Sequence, residues 1–98
     1  MAKGYWITVY RSGSDPARLA EYTALAVPAL EAAGGRILAR GIAARTFEGG
    51  GGANERTVVI EFASVAEAVA AYQSPRYQAA AKVLAGAVAR EVRIVEGV

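Results

Sequence analysis

Two residue types that carry much of enzyme chemistry are missing from this chain. Its 98 residues include no cysteine and no histidine. Without cysteine there are no disulfides, thiolate nucleophiles or cysteine–zinc sites. Without histidine there is no ordinary general base near neutral pH, and the commonest metal ligand is gone. A transition-metal site would want a histidine–carboxylate cluster, and a haem would want an axial histidine or cysteine. No metal and no cofactor is therefore expected. Charge of either sign is also thin. The net charge is +2, and the arginines are scattered from Arg11 to Arg93. Nucleic-acid binding needs a clustered basic patch, so that partner is not expected. No stretch approaches the ~20 apolar residues of a membrane span. The opening Met-Ala-Lys-Gly-Tyr-Trp has no long apolar segment of the signal-peptide kind. A cytoplasmic protein with no membrane partner is the expectation.

What is present is a compact set of structural signals. A chain of this length buries roughly 60–70% of its unfolded surface and forms one domain, residues 1–98, without covalent staples. Hydrophobic residues make up 54%, above the ~45–50% usual for soluble domains. Much of the excess is alanine, and it suggests that more than one face of some element is covered, as in an oligomer.

Tyr5–Tyr10 (YWITVY) is β-branched and aromatic and reads as a first strand. Asp15-Pro16 opens a helix, with Asp as cap and Pro in the first turn. Leu19, Tyr22, Ala26, Leu30 and Ala33 recur at helical spacing, and Gly34-Gly35 supplies the stop. Pro28 falls inside this pattern and is expected to kink the helix, or to end its regular part near Ala24–Val27. Arg36–Phe47 reads as a second strand with a bulge near Gly41, and Glu48–Asn54 (EGGGGAN) as the most mobile internal connection. Thr57–Phe62 is a third strand, hairpin-paired with the second.

Ser64-Val65-Ala66-Glu67 fits a capping box, and its helix runs to Tyr72. Ser74-Pro75 restarts the chain as a second helix, serine as cap and proline at the first position. Pro75 also pushes Ser74 out of helical angles, so the two helices are separate. Ala85-Gly86 closes the last helix and Glu91–Glu96 is a fourth strand. The order β-α-β-β-α-β is the ferredoxin-like, split βαβ pattern. It predicts an α+β fold: a four-stranded antiparallel sheet with helices on one face.

Side chains alternate across a strand. Ile7, Val9, Ile37, Ala39, Val58, Ile60, Phe62, Val92 and Ile94 form an apolar set assigned to the helix-covered face. Trp6, Thr8, Tyr10, Leu38, Arg40, Ile42, Val59, Glu61, Arg93 and Val95 are then assigned to the open face. A face so rich in large apolar groups predicts an interface. Two such sheets packed about a two-fold axis would make a homodimer, a dimeric α+β barrel.

Several segments carry a family resemblance: Gly4–Ile7 (GYWI), Gly34–Gly41 (GGRILARG), Val58–Phe62 (VVIEF), Tyr72–Gln78 (YQSPRYQ) and Ile94–Val98 (IVEGV). The chain resembles a small family of bacterial proteins of about this length, a domain of unknown function within the dimeric α+β barrel superfamily. The resemblance covers essentially the whole chain, and its most specific part is the Ser-Pro-x-Tyr-Gln segment. It departs at Arg76, where members usually carry an acid, and at Ala71, where they carry a bulky aromatic. The resemblance implies the fold and the dimer and brings no established reaction. The wider superfamily includes cofactor-free monooxygenases, isomerases and decarboxylases.

Two sets of candidate site residues follow. Glu61 is a carboxylate inside an apolar strand, expected to face Arg40 across the hairpin with Arg93 on the same side. The pair reads either as a register-fixing ion pair or as an acid/base and its electrostatic partner. Trp6, Tyr10, Tyr72 and Tyr77 read either as core packing or as the lining of a pocket for a small apolar or aromatic ligand. The tetraglycine at Gly49–Gly52 lacks the Lys-Ser/Thr and the following helix of a phosphate loop. Two functions remain. One is a non-catalytic dimer, structural or binding a small apolar molecule. The other is a cofactor-free monooxygenase, isomerase or decarboxylase acting on a small carbonyl or phenolic compound, with Glu61 as acid/base and Arg40 stabilising an anion.

Overall fold

In the computed structural model, which describes residues 2–12, 15–49 and 56–98, seven elements follow in the expected order. They are β1 (Gly4–Ser12), α1 (Pro16–Ala32), β2 (Arg36–Ile42), β3 (Arg56–Phe62), α2 (Val65–Gln73), α3 (Pro75–Leu84) and β4 (Ala89–Glu96). The strands form one antiparallel sheet in the order β2-β3-β1-β4. This is the ferredoxin-like α+β arrangement, with β1 and β3 central and β2 and β4 at the edges. All three helices pack on one face.

The helix boundaries rest on local chemistry. The Asp15 carboxylate accepts from Arg18 N–H at 3.1 Å, and Pro16 needs no acceptor at the first position. α1 continues through Pro28 to Ala32 instead of ending before it. The carbonyl that proline leaves without a donor belongs to Ala24, an exposed residue that water can reach. Gly34 takes φ +96 and lets Gly35 N–H donate back to Leu30 at 2.8 Å. At Gly35 a Cβ would lie 2.9 Å from the Phe62 ring and from the Leu30 carbonyl, so the chain turns into β2 against the core. Ser64 Oγ accepts from Glu67 N–H at 3.1 Å, the serine half of the capping box. Ser74 serves two helices. Its hydroxyl donates to the Ala71 carbonyl at 2.8 Å and accepts from Tyr77 N–H at 3.2 Å. With φ −64 and ψ 143 it is extended, as Pro75 requires.

The core joins Trp6, Ile60 and Phe62 of the sheet to Tyr22, Ala26 and Leu30 of α1, Ala68 and Ala71 of α2, and Tyr77, Ala80 and Leu84 of α3. Small alanines on the inner faces of α2 and α3 let both helices lie close to the strands.

Three details of the sheet correct the pattern-based expectation. In β1 the faces are exchanged. Trp6 pairs with Ile60 and Ile94, Thr8 with Val58 and Val92, and all lie toward the helices. Trp6 is 1% exposed and Thr8 3%, while Ile7 and Val9 lie on the open face. Both sets of YWITVY are bulky and β-compatible, so alternation alone could not phase this strand. In β2 the register shifts between Ile37 and Ala39, at Leu38 and not at Gly41. A bulge adds one residue and reverses the faces beyond it. Arg40 therefore pairs with Val58 and lies on the helix side, whereas Ala39 pairs with Val59 and lies on the open side. Finally, β2 ends at Ile42, so the segment to Phe47 is not strand. Of the connection expected to be most mobile, Glu48–Asn54, residues 50–54 lie outside the described residues.

The open face thus carries Tyr5, Ile7 and Val9 of β1, Val59 and Glu61 of β3, and Arg93 and Val95 of β4. No helix covers it.

Candidate functional site

The aromatic residues singled out in the sequence converge on the helix side. Trp6 is the hub. Its ring meets Tyr77 edge-on at 5.0 Å between centroids, Tyr72 at 5.5 Å and Phe62 at 6.3 Å. Tyr72 and Tyr77 are 5.3 Å apart across the α2–α3 break. The indole N–H donates to Thr8 Oγ1 at 2.7 Å. That bond explains why a threonine sits on the buried face, since a buried indole N–H needs an acceptor.

Beside this cluster lies a second, polar one. The Tyr22 and Tyr77 hydroxyls are hydrogen-bonded at 2.8 Å. Arg90 donates from Nη1 to the Tyr22 oxygen and from Nη2 to the Tyr77 oxygen, each at 3.1 Å. The same guanidinium stacks over the Tyr22 ring at 5.0 Å and the Tyr10 ring at 5.8 Å. Burial raises the Tyr22 phenol well above its usual range, repulsion from Tyr77 adds to this, and Arg90 offsets part of it. Burial also raises Tyr10, with Tyr22 adding and Arg90 opposing. For Arg90 itself burial disfavours the cation, but attraction to the two phenol oxygens outweighs it and the guanidinium stays charged. Among the described residues, no carboxylate lies within ion-pair distance of Arg90.

Two spaces adjoin these groups. A cleft of about 340 Å³ opens between α2 and edge strand β4, lined by Val69, Tyr72, Gln73, Arg90, Val92 and Ile94. A cavity of about 30 Å³ lies deeper between α1 and the sheet, bordered by Trp6, Thr8, Tyr10, Tyr22, Arg40 and Arg56 among others. The smaller space is of the size of a single water. The larger is of ligand size, lined by three aliphatic side chains, the Tyr72 phenol, the Gln73 amide and one cation.

The four aromatic candidates therefore divide. Tyr72 borders the large cleft, Trp6 and Tyr10 border the small cavity, and Tyr77 is 0% exposed and fastens the two clusters together. Glu61 and Arg40 are not brought together. Glu61 is on the open face, where Lys3 Nζ donates to Oε1 at 3.1 Å and the Tyr5 hydroxyl to Oε2 at 3.2 Å. Arg36 is its cross-strand neighbour in β2. The Lys3 hydrogen bond holds the Glu61 carboxyl below its ordinary value against the cost of desolvation, with Tyr5 and the Lys3 and Arg36 charges helping. Arg40 is across the sheet, on the helix side. The expected Glu61–Arg40 pair is thus replaced by Glu61–Lys3: the hairpin register sets Arg36, not Arg40, opposite Glu61, and the Leu38 bulge turns Arg40 to the other face. Arg93 does share the Glu61 face, paired at 3.4 Å with Glu91, which also bonds Arg11.

Sequence reasoning missed Tyr22 and Arg90 as site residues. Tyr22 was legible as a core position of α1, but its hydroxyl partner is 55 residues away. Arg90 fell one residue before the expected start of the last strand. The bulge-like shift between Tyr10 and Ser12 in the β1–β4 pairing lies next to it. No local pattern marks a lone arginine whose partners are two distant phenols.

The geometry defines an α+β protein of ferredoxin-like topology with a ligand-sized cleft beside its aromatic core. The chain belongs to the family described as a domain of unknown function, DUF1330, whose profile matches residues 3–98. No curated protein matches it in sequence. Among solved structures, it is similar to a protein of unknown function from Rhodopseudomonas palustris, with TM-score 0.75 and 18% identity over 99% of this chain and 83% of that one. SnoaB of Streptomyces nogalater, a cofactor-independent oxygenase, matches with TM-score 0.66 and 11% identity over 95% and 90% of the two chains. A dimeric ferredoxin-like protein of unknown function from Thermobifida fusca matches with TM-score 0.58 and 15% identity over 97% and 91%. At these identities the likeness is one of fold.

Proposed function

We propose that this protein is a homodimeric, non-catalytic module that binds a small apolar ligand in the cleft between α2 and β4. The cleft carries the reading. Its volume, about 340 Å³, suits a small organic molecule, and Val69, Tyr72, Val92 and Ile94 supply apolar contact. Tyr72 closes one side of the cleft and rests on Trp6. The homodimer forms through the open sheet face. Tyr5, Ile7, Val9, Val59 and Val95 give it an apolar centre, and the ionic groups Glu61 and Arg93 stand among them. The dimeric Thermobifida fusca protein of the same fold is consistent with this arrangement.

The enzymatic alternative pairs Glu61 as acid/base with Arg40 as anion stabiliser on one substrate. A general base must lie within hydrogen-bond reach of the proton it removes. With the two side chains on opposite faces of the sheet, one substrate does not meet both, and SnoaB shares only the fold. The binding reading is therefore preferred.

Trp6 is the only tryptophan, and it touches a cleft-lining residue, so its fluorescence reports on the site. The test is a titration of the protein with small apolar acids and their neutral counterparts, followed by Trp6 emission and by amide chemical shifts. Binding with perturbations at Val69, Tyr72, Val92 and Ile94 supports the proposal. Absence of binding at millimolar concentration, or perturbations confined to the open sheet face, overturns it.

A further inference from the structure

Resting on the cleft as a binding site, we infer that its ligand is a small apolar carboxylate, whose anion is held by Arg90. A guanidinium has five N–H donors. Two of those on Arg90 are taken by the Tyr22 and Tyr77 hydroxyls at 3.1 Å. Tyr10 also takes a hydrogen bond from Arg90, and the remaining donors have no protein acceptor among the described residues. Arg90 also lines the cleft, and no carboxylate of the described residues neutralises it. A half-buried positive charge is costly to hold without a counter-charge. Phenol oxygens supply only dipoles. An anion entering the cleft supplies the missing charge.

The form of the anion follows from the walls. Val69, Val92 and Ile94 favour an apolar body, and Tyr72 offers a ring face. Among the cleft residues, Arg90 is the one ionised group, which fits a single negative charge better than a phosphate dianion. The N–H groups of the guanidinium that the phenols leave free are charge-assisted donors suited to a carboxylate oxygen. The guanidinium is set before binding, since its hydrogen bonds to the phenols and the two ring faces fix it. Preorganisation of this kind lowers the ordering cost of binding.

The experiment compares isosteric pairs on the wild-type protein by calorimetry and Trp6 fluorescence: 2-naphthoate against 2-naphthamide, and octanoate against octanamide. The expected result is tighter binding of each acid by ~10-fold to 100-fold, the range of a charge-assisted hydrogen bond to a buried cation. Arg90→Gln should reduce that preference to within about threefold, and Arg90→Lys should keep part of it. Equal binding of acid and amide by the wild type overturns the carboxylate inference and leaves the apolar cleft standing. Failure of all four compounds to bind overturns both. Because the first comparison needs no variant, it decides the matter even if Arg90→Gln does not fold.

Discussion

Tyr22 of α1 and Tyr77 of α3 meet hydroxyl to hydroxyl at 2.8 Å, and Arg90 of β4 donates to both oxygens. Three elements distant in sequence are thereby locked at one buried point. The lock spans the contact between α1 and α3 and ties both helices to an edge strand. It also sets a cation beside the core, where two oxygens and two ring faces supply dipoles but no counter-charge.

Removing either oxygen should be felt through the whole lock. Tyr77→Phe leaves one Arg90 N–H without its acceptor and removes the hydroxyl–hydroxyl bond of Tyr22, which keeps its bond from Arg90. We expect a loss of about 1–3 kcal/mol in unfolding free energy, as for a buried hydrogen bond to a charged group. Tyr22→Phe should cost a similar amount, and the double variant less than the sum of the two, because the shared bond is lost once. Urea denaturation of the four proteins measures this. Strict additivity would show that the three groups do not act as a unit.

The open sheet face predicts an oligomeric state. Wild type should run as a dimer at micromolar concentration by light scattering, since obligate interfaces commonly bury ~2,000 Å² or more. Ile7→Lys puts a cation beside Val59 and Arg93, its register partners. It should yield a monomer with unchanged helical content by circular dichroism. A monomeric wild type would remove the interface.

Glu61 gives a pH signature. Its carboxyl sits below the ordinary value of 4.5, chiefly because Lys3 bonds its charged form. The folded chain therefore takes up this proton less readily than the unfolded chain. The associated stability is present above pH 4.5 and is lost as pH falls through the lower folded value. Glu91, held down by its hydrogen bond from Arg11, contributes in the same direction. Glu61→Gln should thus melt close to wild type at pH 7, because Lys3 is 55% exposed and such pairs contribute little. Below pH 4.5 its melting temperature should fall less steeply than that of wild type. Parallel curves throughout would show that the Lys3 contact has no energetic weight.

The α2–α3 break depends on Ser74. Ser74→Ala removes a cap from α3 and a hydrogen bond to the end of α2. A loss of about 0.5–2 kcal/mol is expected. A similar test applies at the entry to β2. Gly35→Ala would press a methyl group against Phe62 and the Leu30 carbonyl at 2.9 Å. It should cost about 1–3 kcal/mol by overpacking. Denaturant unfolding reads both, and a neutral Gly35→Ala would mean that the β2 entry can give way.

The order of elements, the caps at Asp15, Ser64 and Ser74, and the stop at Gly34-Gly35 were all determined by the sequence itself. Each depends on backbone chemistry within a few residues, and that chemistry acts wherever the chain goes. Which face of β1 is buried was decided only by tertiary structure. Tyr5, Ile7 and Val9 are as apolar as their neighbours Trp6, Thr8 and Tyr10, and only pairing with Ile60 and Ile94 phases the strand. The separation of Glu61 from Arg40 was also tertiary, because the hairpin register puts Arg36 opposite Glu61, and one extra residue at Leu38 turns Arg40 to the other face and leaves no mark in alternation. The setting of Arg90 became visible only in the fold. Its charge, the phenols that hold it and the cleft it faces come from β4, α1, α2 and α3, and only packing brings these together.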